Sequence, residues 1–240
     1  RPVERNSGVG GLAQANGFIV VYPDGVGNGP NADQQRTWNG GACCGIAART
    51  NVDDVAFIDQ LITQLEADFP IDADRVFAAG HSNGGILAYR LACELPDRIA
   101  SIGVQSSALE IDACTPDQPV SAIHIHGAAD QNLPIDGGVG PNALSGVDFN
   151  KPLEGATALA AADGCDAAPT TTTDATNADL MIHLWSPCAA GTEVVFVEVA
   201  GAGHAWMGHE TGGSGRVGPV YMGLDSSLLI WNFVVQHGRS

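Results

Sequence analysis

Arg75-Val76-Phe77-Ala78-Ala79-Gly80-His81-Ser82-Asn83-Gly84-Gly85-Ile86-Leu87 is the stretch on which the fold turns. Its first five residues read as a strand. Gly80-His81-Ser82-Asn83-Gly84 matches G-x-S-x-G, and the residues from Gly84 to about Leu95 carry a helical pattern. A serine on a sharp strand-to-helix turn projects its hydroxyl above the sheet edge, and the helix that follows aims its first amides at any oxyanion formed there. Small residues at Gly80 and Gly84 are expected to let strand and helix pass close together. Ser82 is therefore the candidate nucleophile.

Working outward, apolar β-branched runs recur at Phe18 to Tyr22, Ile99 to Val104, Ala122 to His126, Leu180 to Trp185 and Val194 to Val199. Val55, Ile58, Leu61, Ile62 and Leu65 fall at helical spacing, with Asn51 or Asp53 as cap and Pro70 beyond the end. Further helices are expected from Leu153 to about Ala162 and from Leu224 to Gln236. Strands alternating with helices predict an α/β domain with a mostly parallel sheet flanked by helices, and the whole chain, 1–240, reads as one domain. Gly25 to Ala42 and Ile135 to Phe149 read as long loops, and Thr170 to Thr173 as a low-complexity tract within another.

A serine hydroxyl needs a base, and on this strand-turn-helix pattern the partners follow in the order Ser, acid, His. Asp130 lies just past the strand ending at His126, and His204 just past the strand ending at Val199. All three candidates thus sit where parallel strands finish, the edge at which such sheets bind ligands. Asp136 is the rival acid, farther from its strand end and beyond Pro134; His209 is the rival base, in a glycine-rich loop. Trp38 and Trp206 could each offer a flat apolar face to substrate, and each fits a buried core position equally well; His81, beside the serine, is the third candidate contact. No HExxH or comparable ligand spacing occurs, so no metal is expected.

The formal net charge is −17, from 27 acidic against 10 basic side chains, which disfavours nucleic acid and anionic membranes as partners. A neutral or carbohydrate-like ester suits that surface better, and a monomer is expected. No apolar run is long enough to span a bilayer. The six cysteines, Cys43, Cys44, Cys93, Cys114, Cys165 and Cys188, lack zinc-site spacing and are better explained as disulfides, which implies an oxidising compartment, by secretion or in a periplasm. Spacing leaves the pairing open, although Cys165 and Cys188 flank one segment and make a natural local loop, leaving the other four to pair among themselves.

Phe18 to Gly25, the Trp38-Asn39 and Cys43-Cys44 loop, Asp53 to Phe57, Gly80 to Gly85, His126 to Asp130 and Gly203 to Trp206 together resemble the polyhydroxybutyrate depolymerase-like esterases, a pattern shared by feruloyl and acetylxylan esterases. The resemblance covers nearly the whole chain in order. It implies an α/β-hydrolase fold, no cofactor, a secreted enzyme and a triad on Ser82, Asp130 and His204. It also implies an oxyanion donor at the Asn83 amide and a Cys165–Cys188 bridge. Feruloyl esters of plant polysaccharide are the first expected substrate, short-chain polyhydroxyalkanoate the second and acetylated xylan the third. In the family another strand, ending in a His-Gly loop that gives the second oxyanion amide, precedes the one matching Phe18 to Tyr22. Nothing before Phe18 reads as that strand, so a chain lacking its N-terminal strands is expected, the alternative being an oxyanion hole built differently. A catalytically impaired relative acting as a binding module, and a peptidase with the same triad, are the alternatives from other classes.

Overall fold

The alternation of apolar runs and helical patterns becomes, in the computed structural model, a single six-stranded sheet with helices packed against both faces. The structure describes residues 2–27, 36–210 and 215–239. Four helices come first: α1 (Pro2–Asn6), α2 (Val9–Asn16), α3 (Gly45–Arg49) and α4 (Asp54–Asp68). Then follow β1 (Phe77–His81), α5 (Asn83–Glu94), β2 (Ser101–Gln105), β3 (Ser121–Gly127), α6 (Pro152–Ala162), β4 (Thr170–Thr173), β5 (Leu180–Trp185), β6 (Val194–Val199) and α7 (Ser226–Val234). The sheet order is β1-β2-β3-β6-β5-β4; the first three pairings are parallel, and β5 with its neighbours is antiparallel. This is the expected mostly parallel sheet of the α/β-hydrolase fold.

Strand periodicity sorts the core into two layers. Ile102, Val104, Ala122, Val194 and Phe196 meet Ile58, Ile62, Leu87, Leu91 and Leu159 from α4, α5 and α6. The alternate residues Ile123, Ile125, Val197 and Val199 meet Ile230, Phe233 and Val234 of α7. Full burial of each such side chain stabilises by roughly 1.5–3 kcal/mol. Asp53 caps α4, its Oδ1 accepting from the Ala56 amide at 3.0 Å, and α7 is capped in the same way by Asp225.

Expectations for two segments change, and a third gains an assignment. Thr170–Thr173 is a strand, β4, held at the sheet edge by β5 with all four side chains exposed. The segment before Phe18 is helical as α1 and α2. Phe18 to Tyr22, expected as a strand, joins no ladder among the described residues. A cleft of about 1660 Å³ separates it from β1, lined by both segments together with Leu61 and Leu65 of α4 and Trp231 of α7. Among the described residues β1 thus has a strand partner on one side only. Part of the expected Gly25 to Ala42 loop lies outside the described residues; a bridge between Val26 and Thr37 closes its base.

The cysteines pair as Cys43–Cys44, Cys93–Cys114 and Cys165–Cys188. Among the described residues no helix is long and apolar enough to cross a membrane.

Candidate active site

Ser82 has φ 54° and ψ −124°, a conformation that L-residues rarely adopt and that turns its side chain out of the strand-helix junction. The junction closes because position 80 lacks a side chain. A Cβ there would lie 2.3 Å from the carbonyl carbon of Gly84 and 2.4 Å from the amide of Gly85. The second glycine that the close approach requires is Gly85, whose Cβ would meet Ser107 Oγ at 2.7 Å; at Gly84 a Cβ meets nothing within 4 Å. The expected pair of Gly80 and Gly84 is therefore corrected to Gly80 and Gly85.

The loops after β3 and β6 bring Asp130 and His204 to this turn. His204 Nε2 lies 3.0 Å from Ser82 Oγ and its Nδ1 lies 2.7 Å from Asp130 Oδ2. The Asp130 carboxylate only accepts, so Nδ1 carries the proton and Nε2 faces the serine as a lone pair. The other Asp130 oxygen accepts from the amides of Asn132 at 2.8 Å and Leu133 at 3.0 Å. Burial pushes the Asp130 carboxyl up, but the hydrogen bond and charge of His204, with the Leu133 amide and His126, outweigh it and hold the group below the usual carboxylate range. His209 instead faces Asp225 Oδ1 at 3.3 Å, and no hydrogen bond joins Asp136 to His204.

Other contacts hold this geometry. His81 donates Nε2–H to the backbone carbonyl of His204 at 2.7 Å, so the ring considered for substrate is engaged with the base's own backbone. Burial, and then neighbouring His204, push the His81 imidazole down to about 3, keeping it neutral. Gln105, fully buried at the end of β2, was not foreseen. Its carbonyl accepts from the Ser82 amide at 3.0 Å, and its carboxamide donates to the Ala205 carbonyl at 2.9 Å and accepts from the Met207 amide at 3.2 Å. A buried glutamine at a strand's carboxyl end was the available signal.

Asn83 opens α5, where first-turn amides have no carbonyl one turn back. Its side chain accepts from the Trp38 amide at 2.7 Å and donates to the Trp38 carbonyl at 2.9 Å. Trp38 stacks on Phe57 at 6.2 Å and lines the cleft beside Ser82. Trp206 is only 6% exposed, donates its indole N–H to Ser227 Oγ at 3.0 Å and packs its edge against His81, so most of it belongs to the core under the site. Among the described residues no group of three or more His, Cys, Asp or Glu side chains is arranged to hold a metal. Serine, imidazole and carboxylate in this order can perform acyl transfer.

Residues 3–179 match the sequence model of a family described as "Putative esterase". Feruloyl esterase B of Piromyces equi is 28% identical over 97% of this chain and 39% of its own length. Probable feruloyl esterase C of Aspergillus niger is 36% identical over 45% of this chain and 43% of its own. The chain therefore spans about two fifths of the length of these curated relatives. An acetyl xylan esterase from Aspergillus awamori shares the fold, with a TM-score of 0.58 at 16% identity over 84% of this chain and 77% of that one.

Proposed function

The chain belongs to this esterase family, and from that premise we propose that it hydrolyses carboxylic esters through an acyl-enzyme, with Ser82 as nucleophile, His204 as general base and Asp130 as the acid that orients it. The single observation carrying the reading is the continuous path from Ser82 Oγ through both nitrogens of His204 to Asp130. His204 Nε2 takes the serine proton as Oγ attacks the ester carbonyl, and Asp130 stabilises the imidazolium. The Asn83 amide, at the positive end of α5, meets the oxyanion. Protonated His204 then gives its proton to the leaving alcohol. Water, deprotonated by the same nitrogen, releases the acid and restores Ser82.

Hydroxycinnamoyl esters of plant polysaccharide are the proposed substrates. Relatives named as feruloyl esterases support this, as does the Trp38 indole along the cleft, which suits an aromatic acyl group. Acetylated xylan is the second reading, favoured by the fold-mate named as an acetyl xylan esterase. Three disulfides and an acidic surface support action outside the cell. The test is hydrolysis of methyl ferulate, p-nitrophenyl acetate and a hydroxybutyrate oligomer by the chain and by its Ser82→Ala variant. Ser82→Ala should lower kcat by at least about 10⁴-fold with folding unchanged; substantial turnover by a pure preparation of that variant removes the reading.

A further inference from the structure

Behind the triad, β3 and α5 bury a second set of polar side chains that the proposed reaction does not use. Tyr89, His124 and His126 are each 0% exposed. The Tyr89 hydroxyl is 2.8 Å from His124 Nδ1, His124 Nε2 is 3.0 Å from His126 Nδ1, and His126 Nε2 is 3.0 Å from the Leu133 carbonyl oxygen. The same His126 nitrogen lies 3.8 Å from Asp130 Oδ2, the oxygen that receives His204 Nδ1–H.

The direction of every proton in this chain follows from its last member. A carbonyl only accepts, so His126 Nε2 carries hydrogen; the opposite tautomer would turn a lone pair toward both the carbonyl and the carboxylate. Neutral His126 then accepts at Nδ1, which requires hydrogen on His124 Nε2, leaves His124 Nδ1 as an acceptor, and makes the Tyr89 hydroxyl the donor that starts the chain. Burial keeps both rings neutral: it pushes His126 down to about 4 and His124 well below its usual range. Three aligned dipoles thus present their positive end to residues 130–133. That loop is closed from both sides, because the Leu133 amide donates to Asp130 Oδ1 while the Leu133 carbonyl is held by His126.

We propose that His126 is a positioning residue for Asp130, with Tyr89 and His124 fixing its tautomer, so that the acid arm of the triad is aimed from the sheet interior. The kinetic side of this rests on the esterase reading above; the geometric side does not. His126→Phe removes the donor while keeping an aromatic ring against Phe196, which stacks on His126 at 6.3 Å. His126→Gln replaces the donor with an amide N–H that reaches the same place.

The experiment is nuclear magnetic resonance of the imidazole nitrogens and protons in the whole chain, run beside ester kinetics. The wild type should show His124 and His126 as neutral Nε2–H tautomers and a low-field Nδ1–H proton on His204. His126→Phe should lose or move that proton and lower kcat about 100-fold with KM unchanged, the scale of a misplacement of order 1 Å; His126→Gln should return both. Tyr89→Phe, which takes away one hydroxyl, should release His124 into a mixture of tautomers and serves if His126→Phe does not fold. An Nδ1–H tautomer at His126 in the wild type, or a folded His126→Phe with the His204 proton and kcat unchanged, overturns the proposal. If no ester is turned over by the wild type, the esterase reading falls, while the His204 proton in the variants still decides the positioning role.

Discussion

Asn83 grips the backbone of Trp38 with both ends of its carboxamide, accepting from the amide at 2.7 Å and donating to the carbonyl at 2.9 Å. One residue thereby serves two parts of the proposed site, its backbone amide as the proposed oxyanion donor and its side chain as the hold on the Trp38 backbone. Asn83→Ala leaves the backbone amide in place and frees the Trp38 loop. The expected outcome is a rise in KM for methyl ferulate of about 10-fold, the loss of a net hydrogen bond or two, with kcat nearly unchanged. Steady-state kinetics check it; an equal fall in kcat with constant KM contradicts the division of labour.

The two glycines of the G-x-S-x-G motif should behave differently. Gly80→Ala drives a methyl into the backbone of Gly84 and Gly85, so it should destabilise by about 1–3 kcal/mol, as overpacking does, and largely abolish turnover. Gly84→Ala has open space and sits in the first turn of α5. It should be neutral, or stabilising by up to about 1 kcal/mol, since alanine is the better helix former. Thermal melting of the two variants separates them.

Stability should fall steeply with mild acid. His81 and His126 are pushed down to about 3 and about 4, and His124 lies well below its usual range. Between those values and about 6.5 the unfolded chain binds protons that the folded chain does not, so stability is lost as pH falls through that window. Each histidine contributes up to ~1.4 kcal/mol per pH unit. The Asp130 carboxylate, held low, adds a further loss below the ordinary aspartate range. Asp163, which burial raises to about 6, takes up a proton on folding and works the other way. Three histidines outnumber it, so urea unfolding at pH 7, 6 and 5 should still show a slope exceeding that of one group; a flat profile contradicts neutral burial of these rings.

The Cys93–Cys114 bridge ties the end of α5 to the loop after β2. A closed loop of this length removes roughly 3 kcal/mol of unfolded-chain entropy. Replacing both cysteines by serine should lower stability by about that amount in denaturant unfolding, while leaving kcat within a few-fold because the bridge does not touch the triad.

That Ser82, Asp130 and His204 meet was legible because each lies at or within a few residues of the end of an apolar strand, and strand ends are visible in one-dimensional pattern. The bounds of β5 and β6 were legible for the same reason. β4 was hidden because an edge strand of four exposed threonines shows no apolar alternation. Phe18 to Tyr22 has strand composition yet joins no ladder among the described residues, since pairing depends on a neighbouring segment and not on composition alone. His81 and Gln105 act through the backbone of residues more than ninety positions away, a relation that no local spacing reveals. Gly84 was misjudged because the motif marks small positions without saying which of them meets another chain segment.

β1 presents one edge to β2 and the other to the cleft, and it is β1 that ends in Ser82. In a hydrogen-exchange experiment the amides of β3 and β6, paired on both sides, should be the slowest of the sheet, and those along the cleft side of β1 among the fastest. The proposed nucleophile, Ser82, is then carried by the least protected parallel strand among the described residues. The alignment of Ser82 comes from the grip of Gln105 and the elbow beneath it, and a label that reports on solvent access would find the proposed nucleophile at the softest margin among the described strands.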